Sequence, residues 1–358
     1  MSTPIPVSII TGFLGAGKTT LLNTLVKDPL LANAALIINE FGDVGIDHLL
    51  VETSGENVVE MTSGCLCCTI RGDLVETIHG LLARRDAGSL KAFDRIVIET
   101  TGLADPAPVL HTIMSEPALL QRCRLEGVIT VVDGVNGEAT LDAHAEAVKQ
   151  VAVADRVVLT KFDLLSGLEG ENALFSIIAR VRKLAPGARM LTTHRGEATA
   201  KHLFNTGLYD PQTKSINVRG WLNAEAHGHR HHHHKHDASR HDDHIRSFSF
   251  TEDRAISPQG LEMFIELLQS FHGANMLRMK AIVKVTERPE SPVVLHGVQH
   301  VFHPPTRLAA WPDGDERTRL VFIVRDIEQG LIEGLFRAFT DQLDGTGARH
   351  LDKTLSLN

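Results

Sequence analysis

The sequence lacks the features that mark membrane-spanning and disulfide-stabilised proteins. Its 358 residues include only 4 Cys, too few to crosslink a chain of this size. No apolar run approaches the roughly 18 to 20 residues that cross a bilayer, and no Lys or Arg precedes Lys18 to begin a signal peptide. We therefore expect a cytoplasmic chain with no membrane partner.

Positive charge is also scarce. The 36 Lys and Arg residues are outnumbered by 44 Asp and Glu, which gives a formal net charge of −8. Nucleic-acid binding needs clustered Lys and Arg to release counterions, so we expect no nucleic-acid partner. The remaining composition, 43% hydrophobic and 22% charged, is that of a globular chain long enough for two domains.

Short apolar runs alternate with amphipathic stretches in the first part of the chain. They are residues 7–10, 35–38, 95–99, 128–132 and 156–160. Continuous apolar strands separated by helices indicate a parallel sheet that is buried on both faces. Residues 1–219 are therefore predicted to form an α/β domain with a mostly parallel sheet.

The later part of the chain has a different pattern. Residues 220–244 have no apolar period and are predicted to be a flexible, His-rich linker. After them, strand-like runs and amphipathic helices indicate a smaller α+β domain over 245–341, followed by a polar tail over 342–358. The strand-like runs are 245–250, 276–285, 291–302 and 319–324, and the helical ones are 257–271, with Ser257 as N-cap, and 327–339.

A phosphate-binding motif follows the first apolar run. Residues 12–20 read GFLGAGKTT and match G-x-x-x-x-G-K-[ST] between a strand and a helix. In such a P-loop the backbone N–H groups cradle a triphosphate, Lys18 reaches the β- and γ-phosphates, and the Thr19 hydroxyl ligates Mg²⁺. The first domain is thus predicted to be a P-loop NTPase whose nucleotide contacts Gly12, Gly15, Ala16, Gly17, Lys18, Thr19 and Thr20.

Two further positions concern the metal ion and the γ-phosphate. Glu99 ends the apolar run 95–99, where a P-loop protein places the carboxylate that holds Mg²⁺ through water. Gly102, three residues later, is predicted to offer its backbone N–H to the γ-phosphate and to sense hydrolysis.

The base is predicted from the end of the apolar run 156–160. Thr160, Lys161 and Asp163 form a T-K-x-D motif there. A carboxylate accepts hydrogen bonds from both N1–H and the N2 amine of guanine, whereas adenine lacks that amine. GTP is therefore favoured over ATP, with Lys161 lying over the base. Thr192 and Thr193, before Gly196, are predicted to form the opposite wall of the base pocket.

Three of the four cysteines, Cys65, Cys67 and Cys68, lie within four residues. Three thiolates at this spacing can bind one soft transition-metal ion and leave its fourth tetrahedral position to another ligand. The alternative is three buried, reduced thiols that act as small hydrophobic residues.

Histidine is abundant in one place. Nine of the 20 His lie between residues 227 and 244, four of them consecutive at His231, His232, His233 and His234. Such a run binds Zn²⁺, Ni²⁺ or Co²⁺ and releases it as imidazoles protonate below about pH 6. A metal buffer with a regulatory GTPase is therefore an alternative function.

Together these motifs resemble the CobW-like family of P-loop GTPases, which includes the zinc-regulated GTPase metalloprotein activators. The resemblance covers residues 5 to 340 and is carried by the segments 12–20, 39–47 (NEFGDVGID), 64–68 (GCLCC), 99–106 (ETTGLADP) and 160–163 (TKFD). It implies slow GTP hydrolysis coupled to binding of Zn²⁺, with Co²⁺ as the alternative, at the three cysteines. It also implies delivery of the metal to a client metalloprotein.

The same resemblance implies that Glu40 and Asp43 lie near the metal or the catalytic water, which completes a predicted catalytic set with Lys18 and Glu99. Some members carry an acidic residue where this chain has Ile38, so no metal ligand is implied there. A homodimer is a further expectation. A signalling GTPase with incidental thiols remains as another function to be distinguished by experiment.

Overall fold

The structure, a computed structural model, describes residues 4–39, 58–61, 69–204 and 244–341. The chain divides into two compact units, and within these ranges the division falls between Ile245 and Arg246. None of the helices in these ranges is long and apolar enough to cross a membrane. The predicted boundaries of the linker and of the tail stay predictions.

The first unit is built on a parallel sheet. Its strands within the described ranges are β1 (Ile5–Gly12), β2 (Ala34–Asn39), β3 (Val58–Met61), β4 (Arg95–Glu99), β5 (Cys123–Asp133), β6 (Arg156–Thr160) and β7 (Arg189–Thr192). They lie in the order β3-β2-β4-β1-β5-β6-β7, and every neighbouring pair is parallel. Successive residues such as Val97 and Ile98 are both buried, which means that both faces of the sheet are covered.

Helices connect these strands. They are α1 (Lys18–Leu25), α2 (Thr69–Asp86), α3 (Ala107–Ser115), α4 (Pro117–Leu120), α5 (Gly137–Ala143), α6 (Ala145–Ala152), α7 (Gly167–Leu184) and α8 (Ala200–Leu203). Leu21, Leu22 and Leu25 of α1 pack in one apolar cluster with Ile10 of β1 and Val131 of β5. This packing fixes the beginning of α1 at the carboxyl ends of the parallel strands. Ligands bind at these strand ends in folds of this kind.

Within the described residues, the second unit is an antiparallel sheet with α-helices packed against it. Its strands are β8 (Ile245–Glu252), β9 (Met276–Val283), β10 (Val293–Val298), β11 (Val301–Phe302), β12 (Thr306–Arg307) and β13 (Thr318–Arg325), and its helices are α9 (Pro258–Leu267) and α10 (Gln329–Asp341). β9 pairs antiparallel with β10 and β13. Phe264 of α9 and Phe336 of α10 are fully buried and meet edge to face, with ring centroids 5.0 Å apart. The α/β first domain and the smaller α+β second domain are thus confirmed.

Local details in this unit test two sequence predictions. Ser257 caps α9, since its side chain accepts a hydrogen bond from the Gly260 amide at 3.0 Å, as expected. The run 291–302 was expected to form one strand, and that expectation is wrong. The chain reverses between Val298 and Val301, which pair with each other, and Gln299 adopts a positive φ of 50° in the turn.

Candidate functional site

The P-loop leaves β1 through a backbone that suits glycine. Gly12, Gly15 and Gly17 have φ values of 142°, 72° and 94°. At Gly12 an added Cβ would lie 2.3 Å from the Val131 carbonyl oxygen of β5, so the loop also needs glycine for close packing. The Ala16 amide donates to the Phe13 carbonyl at 3.2 Å and closes the turn before α1.

Lys18 lies at the first position of α1 and is 8% exposed. Its Nζ donates to the Phe13 carbonyl oxygen at 3.2 Å, so the ammonium group is held at the mouth of the loop. The amino end of a helix carries a partial positive charge and unpaired N–H groups, which add to the attraction for phosphate.

Thr19 and Glu99 meet although 80 residues separate them in sequence. The Thr19 hydroxyl donates to Oε1 of Glu99 at 3.0 Å, and Glu99 is 4% exposed at the end of β4. A hydroxyl and a carboxylate side by side are the hard oxygen donors that Mg²⁺ takes beside phosphate oxygens. The residues present therefore fit this ion.

Gly102 lies directly against the P-loop. An added Cβ would be 2.7 Å from the Leu14 amide nitrogen and 2.8 Å from its Cα, which leaves no room for a side chain. The segment before it is fixed to β1, because the Thr100 amide donates to the Ile10 carbonyl and its hydroxyl to that of Thr11, both at 2.9 Å. Gly102 is thus placed beside the loop that would hold a triphosphate.

Replacing Gly102 by Ala should lower the rate of GTP hydrolysis about a hundredfold, because the methyl group must push the segment away from Leu14 and displace the amide that is predicted to donate to the γ-phosphate. Affinity for GDP, which has no γ-phosphate, should change less than threefold. The measurements are phosphate release and nucleotide titration. Gly80→Ala is the control, since an added Cβ at this exposed position of α2 meets nothing within 4 Å. A Gly102→Ala protein that hydrolyses GTP at the wild-type rate would contradict the placement.

A cleft of about 590 Å³ continues from the P-loop across the end of β6. Its volume is within the roughly 300 to 1,000 Å³ that is usual for small-molecule sites. The lining includes P-loop and α1 residues on one side and the T-K-x-D motif on the other: Gly17, Thr20, Leu21, Thr24, Leu25, Asp28, Thr160, Lys161, Asp163, Leu164, Thr193, Gly196, Ala198 and Thr199. Phosphate and base motifs thus share one continuous site.

Thr160 joins the two halves of this cleft, because its hydroxyl donates to the Ala16 carbonyl at 2.7 Å. Asp163 is exposed in the short 3-10 turn Phe162–Leu164, where its carboxylate can meet a base. Of the expected opposite wall, Thr193 and Gly196 line the cleft. The Thr192 hydroxyl instead binds Oε2 of Glu197 at 3.1 Å.

Lys161 has a partner that the sequence did not suggest. Its Nζ donates to Oδ2 of Asp133, at the end of β5, at 2.8 Å. Burial raises the pKa of the Asp133 carboxyl, but hydrogen bonds from Lys161 and from the Asn136 and Val135 groups outweigh burial and hold the pKa below its usual value. Asp133 therefore stays ionised and holds Lys161, which lines the cleft, at the end of β6.

The Asp133 contact has a defined pH dependence. Since its pKa is lower in the folded state than its usual 3.8, its contribution to stability is complete above that pH and is lost as the pH falls below it. Asp133→Asn should therefore lower the free energy of unfolding by about 1 kcal/mol at pH 7, and by less near pH 3. Urea unfolding at the two pH values measures this. The exposed Asp94→Asn is the control; an equal loss at both pH values would count against the ion pair.

Several predicted site residues lie outside the described residues. They are Glu40, Asp43, Cys65, Cys67, Cys68, His231, His232, His233 and His234. Within the part of the chain that the structure covers, no group of three or more His, Cys, Asp or Glu could hold a metal ion. Cys123 is buried in β5, and burial raises the pKa of its thiol to about 11 although Arg122 and Arg85 oppose this. Cys123 is therefore protonated at neutral pH.

Two family models together match most of the chain. Residues 6–192 match the model described as "CobW/HypB/UreG, nucleotide-binding domain". Residues 245–340 match "Cobalamin synthesis protein cobW C-terminal domain". The first match spans the P-loop, Glu99, Gly102 and the T-K-x-D motif.

Individual proteins are similar over nearly the whole chain. The zinc chaperone YjiA of Escherichia coli is 32% identical over 93% of this chain and 98% of its own. The zinc chaperone CobW of a Sinorhizobium species is 29% identical over 93% of this chain and 97% of its own. The crystal structure of Zn(II)-bound YjiA GTPase from E. coli superposes with a TM-score of 0.68 at 25% identity, covering 94% of this chain and 99% of that one. The chain therefore belongs to the CobW/HypB/UreG family.

Proposed function

We propose that this protein is a GTP-hydrolysing metallochaperone that binds zinc at Cys65, Cys67 and Cys68 and delivers it to a client metalloprotein in the cytoplasm. The observation that carries the nucleotide part is the continuous cleft from the P-loop to Asp163. The zinc part is supported by the names of relatives, two of which are called zinc chaperones and one a zinc-regulated GTPase metalloprotein activator.

The nucleotide half of the proposal assigns each group a task. Lys18 neutralises the β- and γ-phosphates, and Asp163 selects guanine through N1–H and N2. Thr19 and Glu99 would hold Mg²⁺, which when bound offsets the charge that develops on the phosphate oxygens. Gly102 donates its N–H to the γ-phosphate. Glu40 or Asp43 orients the attacking water in this proposal.

The metal half rests on the chemistry of the cysteines. Three thiolates present soft donors that suit Zn²⁺ and leave one tetrahedral position through which the ion can pass to a client. The cysteines lie in sequence between the segment 39–47, which a γ-phosphate would order, and the segment 99–106, whose Gly102 would contact that phosphate. GTP then favours a tight zinc site, and hydrolysis weakens it. His231 to His234 would capture metal weakly for transfer.

The test is the zinc affinity of the full chain, measured against a chromophoric chelator with GDP and with a non-hydrolysable GTP analogue. We expect at least tenfold tighter zinc binding with the analogue, and by linkage an equal effect of zinc on the analogue's affinity relative to that of GDP. Cys67→Ser should abolish the nucleotide dependence. Cys123→Ala is the matched control. Equal zinc affinity with both nucleotides, or a dependence that survives Cys67→Ser, would refute the proposal.

The same titration separates other functions. If deletion of residues 227–244 removes most of the bound metal and the cysteines hold none, the protein is a histidine-based buffer. If GTP turnover is indifferent to zinc, the thiols are incidental. Loading with cobalt in preference to zinc at the cysteines would change the cargo but leave the mechanism.

A further inference from the structure

A buried glutamine holds the segment of Gly102 from the side away from the P-loop. Gln150 lies in α6 and is 1% exposed. Its Nε2 donates to the Gly102 carbonyl at 3.1 Å and to the Ala104 carbonyl at 2.9 Å. Since both partners are acceptors, the amide must present its NH₂ group to them. One side chain thus ties two carbonyls of a single turn.

The turn formed by residues 101–104 sets the direction of the Gly102 amide. The Ala104 amide donates to the Thr101 carbonyl at 3.2 Å. A trans peptide is planar, with its C=O and N–H pointing in opposite directions, so a fixed Thr101 carbonyl fixes the direction of the Gly102 N–H. The carbonyls of Gly102 and Ala104, which Gln150 holds, both follow that peptide group in the chain, so Gln150 restrains it by fixing the turn whose Ala104 amide binds the Thr101 carbonyl.

Helix α6 is itself anchored where Gln150 lies. The Gln150 backbone carbonyl accepts a buried hydrogen bond from the Thr130 hydroxyl of β5 at 2.7 Å. The neighbouring Lys149 binds Asp105 at 2.9 Å, but the two side chains are 26% and 29% exposed, so water weakens this second tie. On the α6 side, the segment is therefore tied to the sheet chiefly through Gln150, in addition to the hydrogen bonds from Thr100 to β1.

We propose that Gln150 is a positioning residue for γ-phosphate recognition, which sets the Gly102 N–H in place before a triphosphate binds. The inference rests on the proposed function in one respect, that Gly102 meets the γ-phosphate of GTP. When the donor is already ordered, nucleotide binding does not include the entropy cost of ordering the donor. GDP has no group that reaches Gly102, so Gln150 favours the triphosphate selectively.

The experiment compares the ratio of Kd for GDP to Kd for guanylyl imidodiphosphate, a non-hydrolysable GTP analogue, in the full-length protein. Gln150→Met keeps the length of the side chain and removes both donors, whereas Gln150→Glu places a carboxylate against two carbonyls. We expect the ratio to fall at least fivefold in the first variant and further in the second. Because both nucleotides are titrated into one preparation, a loss of folded protein cancels in the ratio.

The matched controls are Gln121→Met and Gln121→Glu, at an exposed glutamine that follows α4 in the same unit, and both should keep the wild-type ratio. If the Kd ratio falls less than fivefold in Gln150→Met, the inference is overturned. The proposed function still stands in that case, provided that the wild-type protein binds both nucleotides. Wild-type protein that binds neither nucleotide overturns both.

Hydrogen exchange in the nucleotide-free wild-type protein tests the inference without any variant. The Ala104 amide should be protected, since the turn is formed before a ligand arrives. Exchange of this amide at the rate of an unstructured peptide would overturn the inference.

Discussion

Replacing Lys18 by Ala should lower kcat/KM for GTP hydrolysis about a thousandfold. Hydrogen bonds to charged groups each contribute about 1.5 to 3 kcal/mol, and Lys18 is proposed to serve two phosphates. A tenfold change corresponds to about 1.4 kcal/mol, so the loss of two such contacts spans roughly 10² to 10⁴. Part of the effect should appear in binding, because the β-phosphate is present in both substrate and product.

The measurement is phosphate release under steady-state conditions, together with titration of GDP. Lys91→Ala, which removes an exposed lysine from the same unit, controls for the loss of one positive charge. The change removes the hydrogen bond from Nζ to the Phe13 carbonyl, and circular dichroism checks that the fold is retained. A Lys18→Ala protein with kcat/KM within tenfold of the wild type would refute the assigned role.

Within the described part of the chain, the five strands predicted from the sequence lie in the interior of the parallel sheet, and the two that the sequence did not reveal, β3 and β7, lie at its edges. An interior strand is buried on both faces and so becomes a continuous apolar run. β7 has only one buried residue, Leu191, among Arg189–Thr192. Edge strands have one neighbour and weaker burial, so little in their composition distinguishes them from loops.

The failure at residues 291–302 has a different cause. Only Gln299 and His300 separate the apolar residues at the end of β10 from those of β11, and this turn contains neither Asn-Gly nor Asp-Gly. Gln299 takes the positive φ that glycine or asparagine would normally signal. The reversal brings Gly297 opposite Phe302 and Val298 opposite Val301, and a local pattern of residues cannot show such a pairing.

The residues of the candidate site also divide into those that a local sequence pattern reveals and those that it does not. Lys18, Glu99 and Asp163 are recognisable because phosphate, metal and base chemistry prescribe their types and spacing. Asp133 and Gln150 are not, since each acts on a motif residue from another element. A carboxylate at the end of β5, next to β6, was a usable signal for Asp133. The sequence contains no comparable signal for Gln150, because a glutamine inside an amphipathic helix does not stand out.

Replacing Asp163 by Asn should change the preference for GTP over XTP by about a thousandfold. Guanine presents two donors, N1–H and the N2 amine, to a carboxylate that accepts both. An asparagine side chain still accepts from N1–H, but its NH₂ group opposes the N2 amine. Xanthine has an oxygen at that position, which accepts from the same NH₂ group.

The expected change in base preference follows from the number of hydrogen bonds to the base that are lost or gained. For GTP, one charge-assisted hydrogen bond of about 1.5 to 3 kcal/mol is replaced by two donors that face each other, and the other becomes a bond to a neutral acceptor, while XTP gains a pair. Titration of GDP and XDP, with Asp94→Asn as an exposed control in the same unit, isolates the base from the phosphates. Because Asp163 is itself exposed, the substitution should not affect folding. A loss of affinity for both nucleotides would argue that the carboxylate maintains the shape of the cleft and does not bind the base. Preference that moves from GDP to XDP is expected only if the base lies against this carboxylate, at the end of the cleft that begins at the P-loop.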